Sequence, residues 1–242
     1  MNLNGKIITV WGAAGSGKTT VATNLAAALA ERNYMVGIIS SKLYYGELQS
    51  LFGKRVEDDK GTYRAMLNGC NMKNMFSETG NPNLFFLSVP SGFDGMLLSA
   101  VGGDSINELI TNSSIMFDYI IIDGSEELNN PISTIGLTLA TKIITVHRVS
   151  AKDSIWFAAM SNMCNVLHLN EKSVHILNGY DKTCDKMAFI NSINAKMDFE
   201  FPYIQNSKIL ENSGKLIFDS QTGSSVYKKT MQRLASVVCM GG

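Results

Sequence analysis

The sequence predicts an α/β fold, a doubly wound and mostly parallel sheet of about seven strands with helices on both faces. Two observations predict it: apolar strand-like runs alternate with segments of helical period, and the first such run passes through a glycine-rich turn straight into a helix. The run KIITVW supplies the first strand, Ile7–Trp11. A helix over Thr19–Arg32 follows, with Val21, Leu25 and Leu29 on one face and Ala22, Ala26 and Ala30 beside them. Val36–Ser40 is the second strand and Thr62–Cys70 the next helix. Met72–Asn83, polar and Asn-rich, reads as a surface loop before the strand Leu84–Val89. The remaining strands are Tyr119–Ile122, Ile143–His147, Val174–Asn178 and Phe199–Tyr203. Helices are predicted at Ser105–Asn112, Ile132–Ala140 and Asp153–His168, with Ser225–Cys239 closing the chain. No linker or internal repeat divides it, so residues 1–242 are expected to form one domain.

Hydrophobic residues at 45% and charged residues at 17% describe an ordinary soluble globular chain. A formal net charge of zero means that no global field draws the chain to nucleic acid or anionic lipid. Cys70, Cys164, Cys184 and Cys239 form no C-x-x-C pair, which predicts free thiols in a reducing cytoplasm and argues against a zinc ribbon. The beginning MNLNGKIITVWG runs directly into the first strand, so no signal peptide is expected. No apolar stretch approaches membrane-spanning length.

Gly12-Ala13-Ala14-Gly15-Ser16-Gly17-Lys18-Thr19 is a complete G-x-x-x-x-G-K-T sequence set between a strand and a helix. Glycines let successive backbone N–H groups curl around a polyphosphate, and the helix start adds its positive dipole end. Lys18 would set a point charge at the β- and γ-phosphates, and Thr19 would offer its hydroxyl to Mg²⁺. The expected binding set is therefore Gly12, Ala14, Gly15, Ser16, Gly17, Lys18, Thr19 and Thr20, and the expected ligand a nucleoside triphosphate. FDYIIIDGSEE, from Phe117 to Glu127, is a strand ending in an acid at the sheet's carboxyl edge, where ligands of open α/β sheets gather. Asp123 is thus the candidate to hold Mg²⁺ opposite Thr19. Glu126 and Glu127 could orient a water, although acids just past a strand are more often solvated.

On these residues the chain resembles the MinD/ParA group of P-loop ATPases over nearly its whole length. VWGAAGSGKTTVATNLAAALAERNYMVGIIS is similar to the opening of that group, and YIIIDGS to its second motif. HILNGYD and FPYIQNSKILENSGKLIFD resemble the segments whose Asn and Pro contact adenine, which maps to Asn178, Pro202 and Tyr203. SSVYKKTMQRLASVV resembles the terminal helix. The resemblance implies ATP or ADP with Mg²⁺ as ligands and a homodimer closing over nucleotide. In the group a second lysine near the loop's start reaches the partner subunit's phosphates, and a D-x-D pattern after the second strand organises the magnesium shell and attacking water. Here those places hold Ala13 and Ser40-Ser41-Lys42. An in-trans cation is worth about 10³–10⁵ in rate, so hydrolysis is expected to be slow or absent while Lys18, Thr19 and Asp123 still hold nucleotide. Lys42 could replace part of the missing charge, although a solvated lysine is the plainer reading.

The degenerate pattern most resembles the TadZ/CpaE-like proteins, which position pilus or secretion machinery. That implies a nucleotide-dependent switch and scaffold, cytoplasmic or peripheral at the membrane or cell pole. Its switch would be Ser40 to Gly53, whose Leu43, Tyr44, Tyr45, Leu48, Leu51 and Phe52 suit either a protein partner or burial. The alternative is a plasmid or chromosome partition ATPase binding DNA nonspecifically, for which Lys228, Lys229 and Arg233 form the one compact basic cluster. A membrane-docking terminal helix would use Val226, Met231, Leu234 and Val238, the stripe that core packing also requires. A small-molecule kinase or ligase would draw on His147 and Arg148, although a strand-end histidine usually bonds at the surface. The cysteine spacing does not match an iron–sulfur dimer like the nitrogenase iron protein.

Overall fold

Among the described residues, eight strands form one sheet in the order β3-β4-β2-β5-β1-β6-β7-β8. They are β1 Lys6–Gly12, β2 Val36–Ser40, β3 Ser77–Glu78, β4 Leu84–Leu87, β5 Tyr119–Asp123, β6 Lys142–His147, β7 Ser173–Tyr180 and β8 Phe199–Pro202. The computed structural model describes residues 5–68, 72–181, 183–220 and 225–240. All pairings are parallel except that of β3 with β4. The seven predicted strands are all present. The eighth, β3, is a two-residue edge strand lying inside the segment read as a surface loop. That segment also holds a short helix, Met72–Met75, and Phe76, whose buried ring packs against Phe117. Its polar composition hid two buried apolar anchors, Met72 and Phe76. Cys70, Met1 to Asn4 and Gly241-Gly242 lie outside the described residues.

The helices are α1 Lys18–Ala30, α2 Glu47–Phe52, α3 Thr62–Asn68, α4 Met72–Met75, α5 Gly103–Met116, α6 Pro131–Leu139, α7 Ala151–Val166, α8 Lys186–Ile193, α9 Ser207–Asn212 and α10 Ser225–Met240. Strand pleating sends alternate residues to opposite layers. Ile8, Val10, Ile38 and Ile121 meet α1, α2 and α10 on one face. Ile7, Ile39, Ile120 and Ile122 meet residues of α3, α5 and α6 on the other. A third cluster joins Trp11 to Leu137, Ile143 and Cys164 beneath α7.

α1 is buried almost all round because it lies between the sheet and α10. Its alanines permit the close approach, and a larger side chain at Ala22 or Ala26 would overpack the layer. α10 buries Tyr227, Met231, Leu234, Ala235 and Val238. Its apolar stripe is therefore spent in the core, and Val226, predicted on that stripe, is 57% exposed. Among the described residues no helix is long and apolar enough to cross a membrane.

His147 corrects the sequence reading, because it is fully buried instead of bonded at the surface. Its Nδ1 lies 3.0 Å from Asp153 Oδ1 and its Nε2 3.0 Å from Nδ1 of His175. Burial, then the neighbouring His147, pushes His175 down to about 4. This triad ties β6 to β7 and to the start of α7. Cys164, Cys184 and Cys239 are free thiols, as the spacing predicted.

Candidate functional site

The site grows from the carboxyl edge of the sheet. β1 is central, flanked by β5 and β6, and its register sets Val10 beside Asp123 and Gly12 beside Val146. On the other side of β5, Ser40 pairs with Asp123. The chain leaves β1 through residues 12–17 and enters α1 at Lys18, with Gly15 at φ 80° and Gly17 at φ 92°. Those angles belong to the left-handed region that glycine enters without steric cost. Gly17 is also crowded: a Cβ there would lie 2.2 Å from Asn178 Nδ2. Asn178 in turn donates from Nδ2 to the Ser16 carbonyl at 2.9 Å, bracing the loop from β7. A Gly17→Ala variant is expected to lose about 1–3 kcal/mol of stability through backbone strain and to bind nucleotide more weakly. Thermal denaturation and a binding titration check both effects; an unchanged melting temperature would contradict the first.

Three consecutive side chains at the start of α1 are each held by a glutamate from a different segment. Lys18 Nζ donates to the Ala13 carbonyl at 2.9 Å and reaches Glu126 Oε2, beyond β5, at 3.4 Å. Thr19 Oγ1 lies 3.4 Å from Glu47 Oε2 on α2. Thr20 Oγ1 donates to Glu211 Oε1 on α9 at 2.8 Å. Glu47 is also ion-paired with Lys42. Glu126 and Lys42 both line the cavity over the loop, each still partly exposed to solvent and each held in an ion pair. Burial lowers the Lys18 pKa, and Glu126 and Asp123 oppose it. Burial also works against ionisation of Glu126, but its own backbone amide and Lys18 outweigh it and hold the carboxyl below its usual range.

Asp123 is the most informative group. It is 1% exposed, and neither carboxylate oxygen has a hydrogen-bond partner in the protein. Burial pushes its pKa up to about 7; the Thr19 hydroxyl is the largest opposing influence, and Lys42 and Lys18 also pull downward. The Thr19 hydroxyl is its nearest donor but makes no well-formed hydrogen bond to it, and a buried carboxylate so thinly met costs stability unless something else joins. A divalent cation beside Thr19 is such a partner, so the donor set Thr19 and Asp123 fits Mg²⁺.

The cavity has a volume of about 710 Å³. Its floor is the loop from Ala14 to Thr20; Ser41 to Tyr45 and Gly124 to Glu127 form its walls. Asn130 joins the walls: its side chain caps α6 at Ser133 N and donates to the Ser41 carbonyl at 2.8 Å. The Trp156 indole donates to the Glu126 carbonyl at 3.1 Å, pinning the far wall to α7.

Asn178 stands directly behind the loop. Pro202 ends β8, and Tyr203 follows it half-exposed, its N–H bonded to the Tyr180 carbonyl at 2.9 Å. These two do not line the cavity over the phosphate loop. The segment Ser40 to Gly53 divides by burial: Leu48, Leu51 and Phe52 are in the core, while Tyr44 and Tyr45 are exposed. Its second half is the short helix α2, anchored in the core by Leu48, Leu51 and Phe52. Glu47, Glu211 and Trp156 are site residues that the motif reading did not identify.

A protein-family model for an AAA domain matches residues 5–176. The chain belongs to that AAA-domain family. No curated protein matches it. Among solved structures, the ParA family ATPase of Chlorobium tepidum superposes with a TM-score of 0.83 at 17% identity, over 96% of this chain and 98% of that one. The cell division ATPase MinD of Pyrococcus furiosus gives 0.80 at 19%, over 98% and 100%. The septum site-determining protein MinD of Pyrococcus horikoshii, solved with Mg-ADP, gives 0.77 at 18%, over 96% and 95%. The AAA-domain chain therefore has the MinD/ParA fold.

Proposed function

We propose that this protein is an ATP- and Mg²⁺-binding switch and scaffold of the MinD/ParA kind, with slow or absent hydrolysis, that positions a larger machine as a homodimer. The observation that carries the reading is Asp123, buried, without a well-formed hydrogen bond and set beside Thr19 at the mouth of a complete phosphate loop. The similarity in fold to MinD and ParA ATPases supports nucleotide-dependent positioning as the role. Resemblance of the degenerate motifs to the TadZ/CpaE-like branch supports pilus or secretion machinery as the cargo.

The loop amides from Gly12 to Thr20 would surround the phosphates, Lys18 would meet the β- and γ-oxygens, and Thr19 with Asp123 would hold Mg²⁺. When bound, the metal neutralises charge on the terminal phosphates. The nucleotide base would lie toward Asn178, Pro202 and Tyr203. Arriving phosphates would compete with the glutamates on Lys18 and Thr19 and displace them. Because Glu126 and Glu47 belong to two different walls, that displacement moves both walls together and supplies the switch.

The slow step follows from what the site lacks. Ala13, buried at 2% exposure, offers no cation to a partner subunit, and Ser40-Ser41-Lys42 brings no carboxylate to the end of β2. Phosphate release is expected at least about 10³-fold below the 1–10³ s⁻¹ of ordinary enzymes. A coupled phosphate assay measures it, and turnover in that ordinary range would overturn the slow-switch reading.

A DNA-partition role finds weaker support. Lys228 is ion-paired with Glu31 and lies over the Phe218 ring, and Arg233 lies over Phe199. A mobility shift on unrelated DNA, strongly weakened by salt, would reverse that preference.

A further inference from the structure

The magnesium reading leaves one chemical problem, which α2 answers. A hard cation wants several oxygen ligands, yet the end of β2, beside Asp123, carries only Ser40, Ser41 and Lys42. The Ser40 hydroxyl is turned back on its own chain and accepts from Lys42 N at 3.1 Å. Five residues beyond Lys42, Glu47 brings its carboxylate to the Thr19 hydroxyl and lines the same cavity.

Its position is built into the fold. Leu48, Leu51 and Phe52 bury the adjoining face of α2 in the core. Gln49 ties the helix down on the same side, donating from Nε2 to the Val89 carbonyl at 3.1 Å and accepting from Val56 N at 2.8 Å. The chain enters α2 so tightly that a Cβ on Gly46 would lie 2.3 Å from the Val89 oxygen. Anchored in this way, Glu47 holds its carboxylate over Thr19, 31% exposed and paired with Lys42. Asp123 approaches Thr19 from the sheet side, fully buried, and neither of its oxygens has a well-formed hydrogen bond. Two carboxylates from different elements thus converge on one hydroxyl.

We propose that Glu47 supplies the second carboxylate of the magnesium shell, directly or through a coordinated water, in place of an acid at the end of β2. The inference rests on the reading of the site as one for ATP and Mg²⁺. It gives Lys42 a partner that holds it beside the cavity until the cation claims the carboxylate. It also separates two tasks: the carboxylate retains metal, while the cation missing at Ala13 keeps cleavage slow.

The test is a titration of Mg²⁺ against binding of a fluorescent ATP analogue, starting in excess chelator. Mg²⁺ should tighten binding to the wild-type protein. Glu47→Gln, which keeps the side chain's shape, should require about tenfold more Mg²⁺ or higher, with binding in chelator no weaker than wild type. Lys42→Met breaks the same ion pair but leaves the carboxylate, so its Mg²⁺ requirement should stay within about threefold of wild type. A wild-type Mg²⁺ requirement in Glu47→Gln, or equal shifts in both variants, would overturn the proposal and reduce Glu47 to a salt-bridge partner. Wild-type protein that binds the analogue without any response to Mg²⁺ would overturn it too, while leaving nucleotide binding intact. Failure to bind the analogue at all would refute the parent reading.

Discussion

Lys18→Ala is expected to weaken ATP binding severely without unfolding the protein. Lys18 is 8% exposed, and its ammonium is held by the Ala13 carbonyl and, more distantly, by Glu126. Burial lowers its pKa, so in the empty site the charge is a cost more than a support. Removing it frees the Ala13 carbonyl and relieves that desolvation. The two effects oppose each other, and the net change in stability should stay within about 1 kcal/mol. In the complex the same ammonium would be a fixed cation on the β- and γ-phosphates. Deleting one member of a desolvated charge pair costs about 2–5 kcal/mol, or roughly 30- to 4,000-fold in affinity. Calorimetry with ATP and with ADP, beside a thermal melt, checks both halves. Wild-type affinity in the variant would refute the role assigned to Lys18.

Asp123→Asn should stabilise the empty protein and weaken its response to Mg²⁺. The carboxyl is raised by burial from 3.8 to about 7. An acid whose folded value lies above its unfolded value binds more protons in the folded state, so stability falls as pH rises from about 4 to about 7. At pH 8 the ionised side chain therefore costs up to about 4 kcal/mol. Asparagine does not carry that cost, and the variant should melt several degrees higher at pH 8. His175 acts in the opposite sense: lowered from 6.5 to about 4, it removes stability as pH falls from 6.5 toward 4. The two groups nearly offset each other in the wild type, whose stability should vary little between pH 4 and 7. In Asp123→Asn the histidine acts alone, and stability should fall as pH drops through that window. Denaturant titrations at pH 5 and pH 8 measure it; equal stability of the two proteins at pH 8 would contradict the orphaned carboxylate.

Much of the fold could be read from the chain because buried parallel strands announce themselves. Ile7–Trp11, Val36–Ser40 and Tyr119–Ile122 are apolar on both faces, and the observed strands match them to within a residue or two. The phosphate loop was legible because its glycines and lysine occupy fixed places between strand and helix. Asp123 was legible for the same reason, as the last residue of an apolar strand.

Glu47 was harder to find, because its role depends on contacts distant in sequence. A signal was nevertheless present. Leu48, Leu51 and Phe52 have helical spacing between Gly46 and Gly53, which punctuates a short helix and turns Glu47 away from the core. In the stretch as a whole, the aromatics Tyr44 and Tyr45 mask that periodicity. The link between Thr20 and Glu211 carried no local signal, because it joins residues 191 positions apart. The burial of His147 was equally hidden, since its partners Asp153 and His175 sit on different elements and each looks like a surface polar residue.

The most direct measurement of the central claim is a calorimetric titration of the wild-type protein with ATP in the presence of Mg²⁺. Saturable binding of one ATP per chain is the expected result. A flat titration at millimolar ATP would contradict it, because the amides, ammonium and buried carboxylate at the head of α1 would then have no triphosphate to hold.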